Sequence, residues 1–524
     1  MSLLTTTSCS YGSGGCRIAT LAPARTLAAC TSGAHNGLMH CSLYAVLIVT
    51  GLLASCSEPR DDGETQVSVI GSGFAQVDPD RVPLTPPDRI LAGATAQSLV
   101  TLDSNGQVEP ALAESWIVTS DGLSTIFRIR MAHWRDGTDV NGDHVAQSLN
   151  RAVAADSRNP FKPLLSAVDT VVGMTGRVVE IRLKTPRPNL LQLLAQPEMA
   201  IQRGRQGLGD FRIAHFTRNR VRLTPIAAED DPPDQVRDPV LLRAERPALA
   251  IARFVANRSD LVMEGTLADW PYVRTATLRP GRLHIDAVQG LFGLAVIGKS
   301  SFLGTSDVRA ALAMAIDRTA LANAVGLSGW VTAESPLPAQ LDSAAPPTRP
   351  DWSGASQVQR RADAAARIAA WRNGRQMPVL RVGLPEGPGM RLMFARLDAD
   401  WRLIGVRAKR VTLNAPDADL RLIDAVAPNS SANWYLTELS CAAGLACDGE
   451  ADRALDASRS ADTLADRSVQ IADADRVLTK RASFIALGNP LRWSLVDPSL
   501  PGWKENVLGA HPLSELRPPR SAAN

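Results

Sequence analysis

The sequence predicts a mixed α/β chain of two or three domains, on three observations. Val379–Leu384, a helical stretch around Gly389 to Leu403, and Val406 to Leu413 run strand, helix, strand. That is the order of a βαβ unit, which implies a parallel strand pair and a ligand crevice at strand ends nearby. Trp116–Thr119 and Thr125–Ile129 flank Asp121-Gly122 as the arms of a hairpin, with Thr125, Phe127 and Ile129 alternating against Ile126, Arg128 and Arg130. About 470 residues follow Cys56, more than one hydrophobic core usually serves.

Before the first element stands a leader. The apolar run Leu43–Leu52 closes on Leu53-Ala54-Ser55-Cys56, a lipobox. A membrane span needs about 20 apolar residues, so this shorter run with small residues before a cysteine suits cleavage and lipid attachment at Cys56. Residues 1–55 are then a signal or leader region without a fold, and 56–65 a polar tether outside the cytoplasm. The alternative is a buried apolar strand or helix; no Lys or Arg lies between Arg25 and Cys56, and Met39 is an alternative start. Of seven cysteines, Cys9, Cys16, Cys30 and Cys41 fall in the leader, which leaves Cys441 and Cys447 around Gly444. In an oxidising compartment these two are expected to form a short-loop disulfide; the rivals are two free buried thiols or half of a metal site.

The elements follow in order. Gln66–Ile70 reads as the first strand. Asn141 is placed to cap a helix whose Val145, Leu149, Ala152 and Val153 share one face. A second hairpin has Thr170–Val172 and Arg177–Leu183 around Gly176. Ser306 and Asp307 open a helix carrying Val308, Leu312, Ala315, Ile316 and Leu321 to a stop at Gly326, residues 335–350 form a Pro-rich loop, and Gln357–Arg372 an Ala-rich helix. Loss of Arg17 and Arg25 with the leader takes the formal charge from +3 to +1. A nearly neutral chain has no electrostatic case for nucleic acid.

Several of these segments match an ordered set of motifs. Leu99 to Trp116, with Pro110-Ala111-Leu112-Ala113-Glu114-Ser115-Trp116 at its end, resembles the signature of the extracellular solute-binding proteins of family 5, the dipeptide, oligopeptide and nickel binders of ABC importers. Trp134-Arg135-Asp136-Gly137-Thr138 and the helix after it, Gly207–Phe211, Asp307–Arg318, Trp401–Val406 and Asp497–Trp503 are similar to later family motifs in the same order. The resemblance covers about residues 66–515. It implies a two-lobed clamp of the periplasmic-binding-protein kind (type II, cluster C), with an extra subdomain inserted in the first lobe. Mapped here, lobe I combines 66–90, 201–262 and 486–524, the subdomain is 91–200, and lobe II is 263–485. It also implies a monomer that takes a small solute or peptide, hands it to ABC permease subunits, meets the membrane through its lipid anchor and uses no cofactor.

The ligand-side residues depart from the family pattern. Peptide binders carry a Trp and then an Asp that pairs with the peptide ammonium; counting back from Tyr435-Leu436 puts Ala425 and Pro428 at those positions. Asp424 takes over only by a register shift. A neutral polar set, Asn429, Ser430, Ser431 and Asn433, stands beside Trp434 and Tyr435 and suits a sugar or other neutral polar solute, or else a polar loop beside core aromatics. Gln289 and Phe292, on a strand that lines the cleft in relatives, are secondary candidates. The expected function is a substrate-binding lipoprotein of an ABC importer; the alternative is a sensing or scaffold lipoprotein of the same fold. The scattered histidines give no metal motif, and Gly326-Leu327-Ser328-Gly329 lacks the spacing of a nucleophile elbow, so no enzyme is expected.

Overall fold

The computed structural model describes residues 63–521 apart from 205, 227–234, 298–299, 328, 340, 448 and 518–519. The leader and the proposed lipidation site Cys56 lie outside the described residues. Three main sheets organise the chain. The largest has seven strands in the spatial order Phe211–Thr217, Arg220–Pro225, Val240–Glu245, Thr65–Ile70, Leu261–Gly265, Arg492–Val496 and Leu283–Asp286. Thr65–Ile70 pairs in parallel with both neighbours, Val67 lying opposite Leu242 on one side and Leu261 on the other. Central parallel strands are covered on both faces, which is why these strands are buried along their length.

A second sheet orders Arg407–Thr412, Val379–Leu384, Leu420–Val426, Gly290–Val296 and Phe484–Gly488. The expected βαβ unit forms its parallel half: Val379–Leu384 pairs in parallel with Arg407–Thr412 through the helix Pro388–Arg402. Trp401 of that helix is fully buried and donates Nε1–H to the Leu312 carbonyl at 3.0 Å, which locks it to the helix Ser306–Ala315.

One sequence expectation needs correction here. The single helix from Ser306 to Gly326 is two, Ser306–Ala315 and Arg318–Val325, broken at Ile316-Asp317. Asp317 caps the second by accepting from the Ala320 N–H at 2.9 Å, and the buried Arg318 guanidinium donates to the carbonyls of Ala333 and Ala486, each at 2.8 Å. These distant carbonyls fix the break, and neither Gly nor Pro marks it locally. Gly326 ends the second helix at φ 68°, as its missing Cβ allows.

Between Ile70 and Phe211 the chain leaves the large sheet and builds a four-stranded one, Ala113–Val118, Ser124–Ile129, Val178–Leu183 and Val168–Gly173. The helix Gly142–Val153 lies against it, capped by Asn141 as expected, with the carboxamide oxygen accepting from the His144 N–H at 3.0 Å. Gly142 sits so close to this sheet that a Cβ would come within 2.6 Å of the Val178 carbonyl oxygen. The chain crosses between the seven- and five-stranded sheets twice, from Asp286 to Gly290 and from Gly488 to Arg492. Among the described residues no helix is long and apolar enough to cross a membrane, and no cluster of His, Cys, Asp or Glu is placed to hold a metal.

Candidate ligand cleft

A cleft of ≈ 1820 Å³, counting space open to solvent, is lined by all three units: Arg89, Gln97 and Gln196 from the stretch around the four-stranded unit, Glu264, Arg492 and Trp493 from the seven-stranded sheet, and Ala425 to Pro428 from the five-stranded sheet. The segment 508–515 closes one wall. A concave surface drawn from separate units, with apolar walls and many polar and charged side chains, has the make-up of a ligand site.

Glu264 is the least ordinary of these residues. Its φ of 65° places it in the left-handed region, which a non-glycine residue enters at a strain of order 1 kcal/mol. The pairing of Leu261–Gly265 with Arg492–Val496 slips between Val262 and Gly265, so Glu264 drops out of the ladder at the cleft. Gly265 then lies flat on the Trp493 indole, where a Cβ would meet Cε2 at 2.1 Å. Trp493 is held there by its own Nε1–H, which donates to the Thr266 carbonyl at 2.9 Å. Among the described residues nothing hydrogen-bonds the Glu264 carboxyl. Burial pushes its pKa up, against the opposing pull of Arg492, Arg89 and His511.

The cations around it are engaged. Arg492 Nη1 donates to Asp424 Oδ1 at 2.7 Å; burial lowers the guanidinium pKa, but Asp424, Glu264 and Asp286 together raise it. Arg89 donates to Glu198 Oε1 at 2.5 Å and to Gln196 Oε1 at 2.7 Å. His511 meets Asp286 Oδ2 through Nε2 at 3.0 Å and stacks on Trp503 with ring centroids 4.6 Å apart. Among the described residues the Glu264 carboxyl thus has no hydrogen-bond partner, while the cations around it already hold carboxylates.

The sequence candidates fall into separate places. Ala425 and Pro428, the positions counted as the Trp and Asp of peptide binders, line the cleft, and Asp424 stands beside it bonded to Arg492. Gln289 is exposed, its carbonyl accepting from the Ala427 N–H at 2.9 Å. Phe292 is 1% exposed in the core, edge-on to Trp330 at 5.6 Å. Asn429, Ser431, Asn433 and Trp434 come together around a second, smaller hollow of ≈ 430 Å³, counting space open to solvent. Tyr435 is fully buried, edge-on to Trp434 at 4.8 Å, with a hydroxyl that has no hydrogen-bond partner among the described residues and a pKa pushed up by burial. Cys441 and Cys447 are joined in a disulfide.

Sequence reasoning passed over Glu264, Arg492, Arg89 and His511. The one local signal was Glu264-Gly265 ending the apolar run Leu261-Val262-Met263, a charge and a glycine where a buried strand stops.

Comparison with known proteins agrees with this architecture. The chain is similar to the Haemophilus influenzae OppA solved in complex with RPPGFSPFR, with a TM-score of 0.75 at 17% identity over 87% of this chain and 98% of that one. The Escherichia coli murein tripeptide binding protein MppA gives a TM-score of 0.75 at 18% identity over 88% and 99% of the two chains. NikZ from Campylobacter jejuni, solved with Ni(L-His), gives 0.69 at 17% identity over 86% and 97%. These likenesses show the fold, a two-lobed periplasmic-binding-protein clamp. In sequence, 162 residues are 32% identical to the glutathione-binding protein GsiB of Shigella dysenteriae serotype 1 (strain Sd197) and of Escherichia coli (strain K12), a match spanning 30% of this chain and 30% of each relative's length. The family model described as bacterial extracellular solute-binding proteins, family 5 Middle, matches residues 107–416. Its members are binding proteins, not enzymes. With more than half of its length matched, the chain belongs to the bacterial extracellular solute-binding proteins of family 5.

Proposed function

We propose that this protein captures a small solute in the ≈ 1820 Å³ cleft and delivers it to the permease of an ABC importer. It works outside the cytoplasm as a monomer held to the membrane by a lipid on Cys56. The observation that carries the reading is the cleft itself, built from strands of both large sheets and reached by two chain crossings that can act as hinges. A solute touching both sides favours the closed population over the open one, and only such differential contact moves the equilibrium.

Charges of both signs line the cleft, which favours a zwitterionic, peptide-like solute over a neutral sugar. Pro428 removes the carboxylate that peptide binders use for the ammonium. In its place the unpaired Glu264 carboxyl, on the opposite wall, receives the solute's cationic group, and Arg492 and Arg89 offer positive potential for its carboxylate end. The test is a thermal-shift screen of the purified protein against short peptides, oligosaccharides and metal ions, because a ligand of the native state raises stability by mass action. Peptides with a free amino end should raise the midpoint in wild type and lose most of that effect in Glu264→Gln. A shift with oligosaccharides alone would overturn the solute class.

A further inference from the structure

Charge is distributed unevenly around the large cleft. Among the described residues, every lining residue from Ala96 to Pro197 is uncharged, and so is each of Ala425 to Pro428. The ionisable ones, Arg89, Asp210, Glu264, Arg492, His511 and Glu515, all come from the rest of the wall. The uncharged part has an apolar floor. Leu102, Phe161, Ala195 and Ala427 line the cleft and belong to one continuous hydrophobic core, on which Leu508 packs from the segment 508–515. Each of the four is less than a tenth exposed. Phe161 is held in place: its N–H donates to Asn159 Oδ1 at 3.0 Å, and the Asn159 carboxamide donates in turn to the Glu198 carbonyl at 2.9 Å and to Asp80 Oδ1 at 3.0 Å.

The polar groups of this wall are engaged within the protein. Gln97 Oε1 accepts from Arg130 Nη2 at 2.7 Å, Ser98 Oγ donates to the Gln196 carbonyl at 3.1 Å, and Gln196 Nε2 donates to the Gln192 carbonyl at 3.0 Å. Arg89 and Glu515 reach the same unit and are engaged there too, Arg89 by Glu198 and Gln196, and Glu515 by the Ser104 N–H at 2.8 Å. An ionised solute side chain placed against this wall gives up its water without gaining a counter-charge, which is costly. An apolar side chain there buries surface on both partners.

We propose that the cleft sorts peptide-like solutes by side chain: it takes short peptides whose charges are confined to their two ends and whose side chains are aliphatic or aromatic, received by Leu102, Phe161, Ala195, Ala427 and Leu508. This rests on the reading of the cleft as a peptide site and adds to it the class of peptide. Selection works by exclusion as well as by attraction, since specificity is a difference of affinities and the uncharged wall penalises the wrong solute.

Isothermal titration of the purified protein with trileucine, trilysine and triglutamate, all with free ends, tests it. Trileucine should bind wild type about tenfold or more tightly than either charged peptide. The charged pair are opposite in sign, so weak binding by both assigns the effect to the uncharged wall and not to the overall field of the cleft. Leu508→Glu, at a half-buried turn position, should narrow the gap between trileucine and trilysine by about tenfold. Equal affinity of wild type for trileucine and either charged peptide overturns the proposal while leaving the cleft a peptide site, and so does an unchanged gap in a folded Leu508→Glu protein. Binding of none of the three overturns the peptide reading itself and this proposal with it.

Discussion

Arg492 and Asp424 join the two large sheets beside the cleft: the guanidinium of a seven-stranded-sheet residue donates to the carboxylate of a five-stranded-sheet residue at 2.7 Å, both side chains less than a fifth exposed. The same guanidinium reaches the Asp424 carbonyl at 3.3 Å, which fixes its plane. Asp424→Ala strands a largely buried cation next to Glu264. Breaking a buried pair from one side costs about 3–5 kcal/mol; the remaining exposure and the neighbouring Glu264 reduce the expected loss here to about 1–3 kcal/mol. Urea unfolding of wild type and variant checks this, and a change within error would show that the pair does not hold the sheets together.

A pH effect follows from Asp269. It is 8% exposed, accepts from Thr266 Oγ1 at 3.2 Å, and burial raises its pKa from 3.8 to about 6. The folded state therefore holds this proton more tightly than the unfolded chain. The contribution to stability is greatest below the unfolded pKa and is lost as pH rises from about 4 through about 6, a loss of about 2–3 kcal/mol. Asp269→Asn removes this dependence, so its stability relative to wild type should grow over that interval. A difference independent of pH would contradict the assignment.

Tyr435 supplies a test of the core. Its hydroxyl is buried with no hydrogen-bond partner among the described residues, and such a group costs about 1–3 kcal/mol of desolvation. Tyr435→Phe removes the oxygen and keeps the ring against Trp434, so it should be neutral or stabilising by about 1 kcal/mol. Clear destabilisation would mean that the hydroxyl meets an ordered water.

The Cys441–Cys447 disulfide closes a short loop beside the helix Ala432–Glu438. Chain-entropy arguments give about 2 kcal/mol for so short a loop. Reduction, or replacement of both cysteines by alanine, should lower the thermal midpoint by a few degrees and leave solute binding in place. Loss of binding on reduction would tie this loop to the cleft.

Local structure was legible in the sequence wherever a local rule governs it. Asn141 as a cap, Asp121-Gly122 as a hairpin turn, Gly326 as a helix stop and the βαβ unit from Val379 onward each follow from residues within a few positions of one another. The break at Asp317 escaped because its cause, Arg318 bonding Ala333 and Ala486, is distant in sequence. The cleft escaped for the same reason. Arg89, Glu264, Ala425, Arg492 and His511 share one surface only after three separate units have packed, and the strained φ of Glu264 has no sequence signature beyond the glycine after it.

Gly265 gives direct access to the cleft, since any side chain there must displace the Trp493 indole that forms its wall. Isothermal titration of wild type and Gly265→Leu with a pool of tripeptides, amino ends free or acetylated, therefore measures the central claim most directly. Free-ended peptides should bind wild type at one site, acetylated ones at least tenfold more weakly, and neither should bind Gly265→Leu. Equal binding by both proteins, or no binding by wild type to any member of the pool, would contradict the cleft as a peptide site.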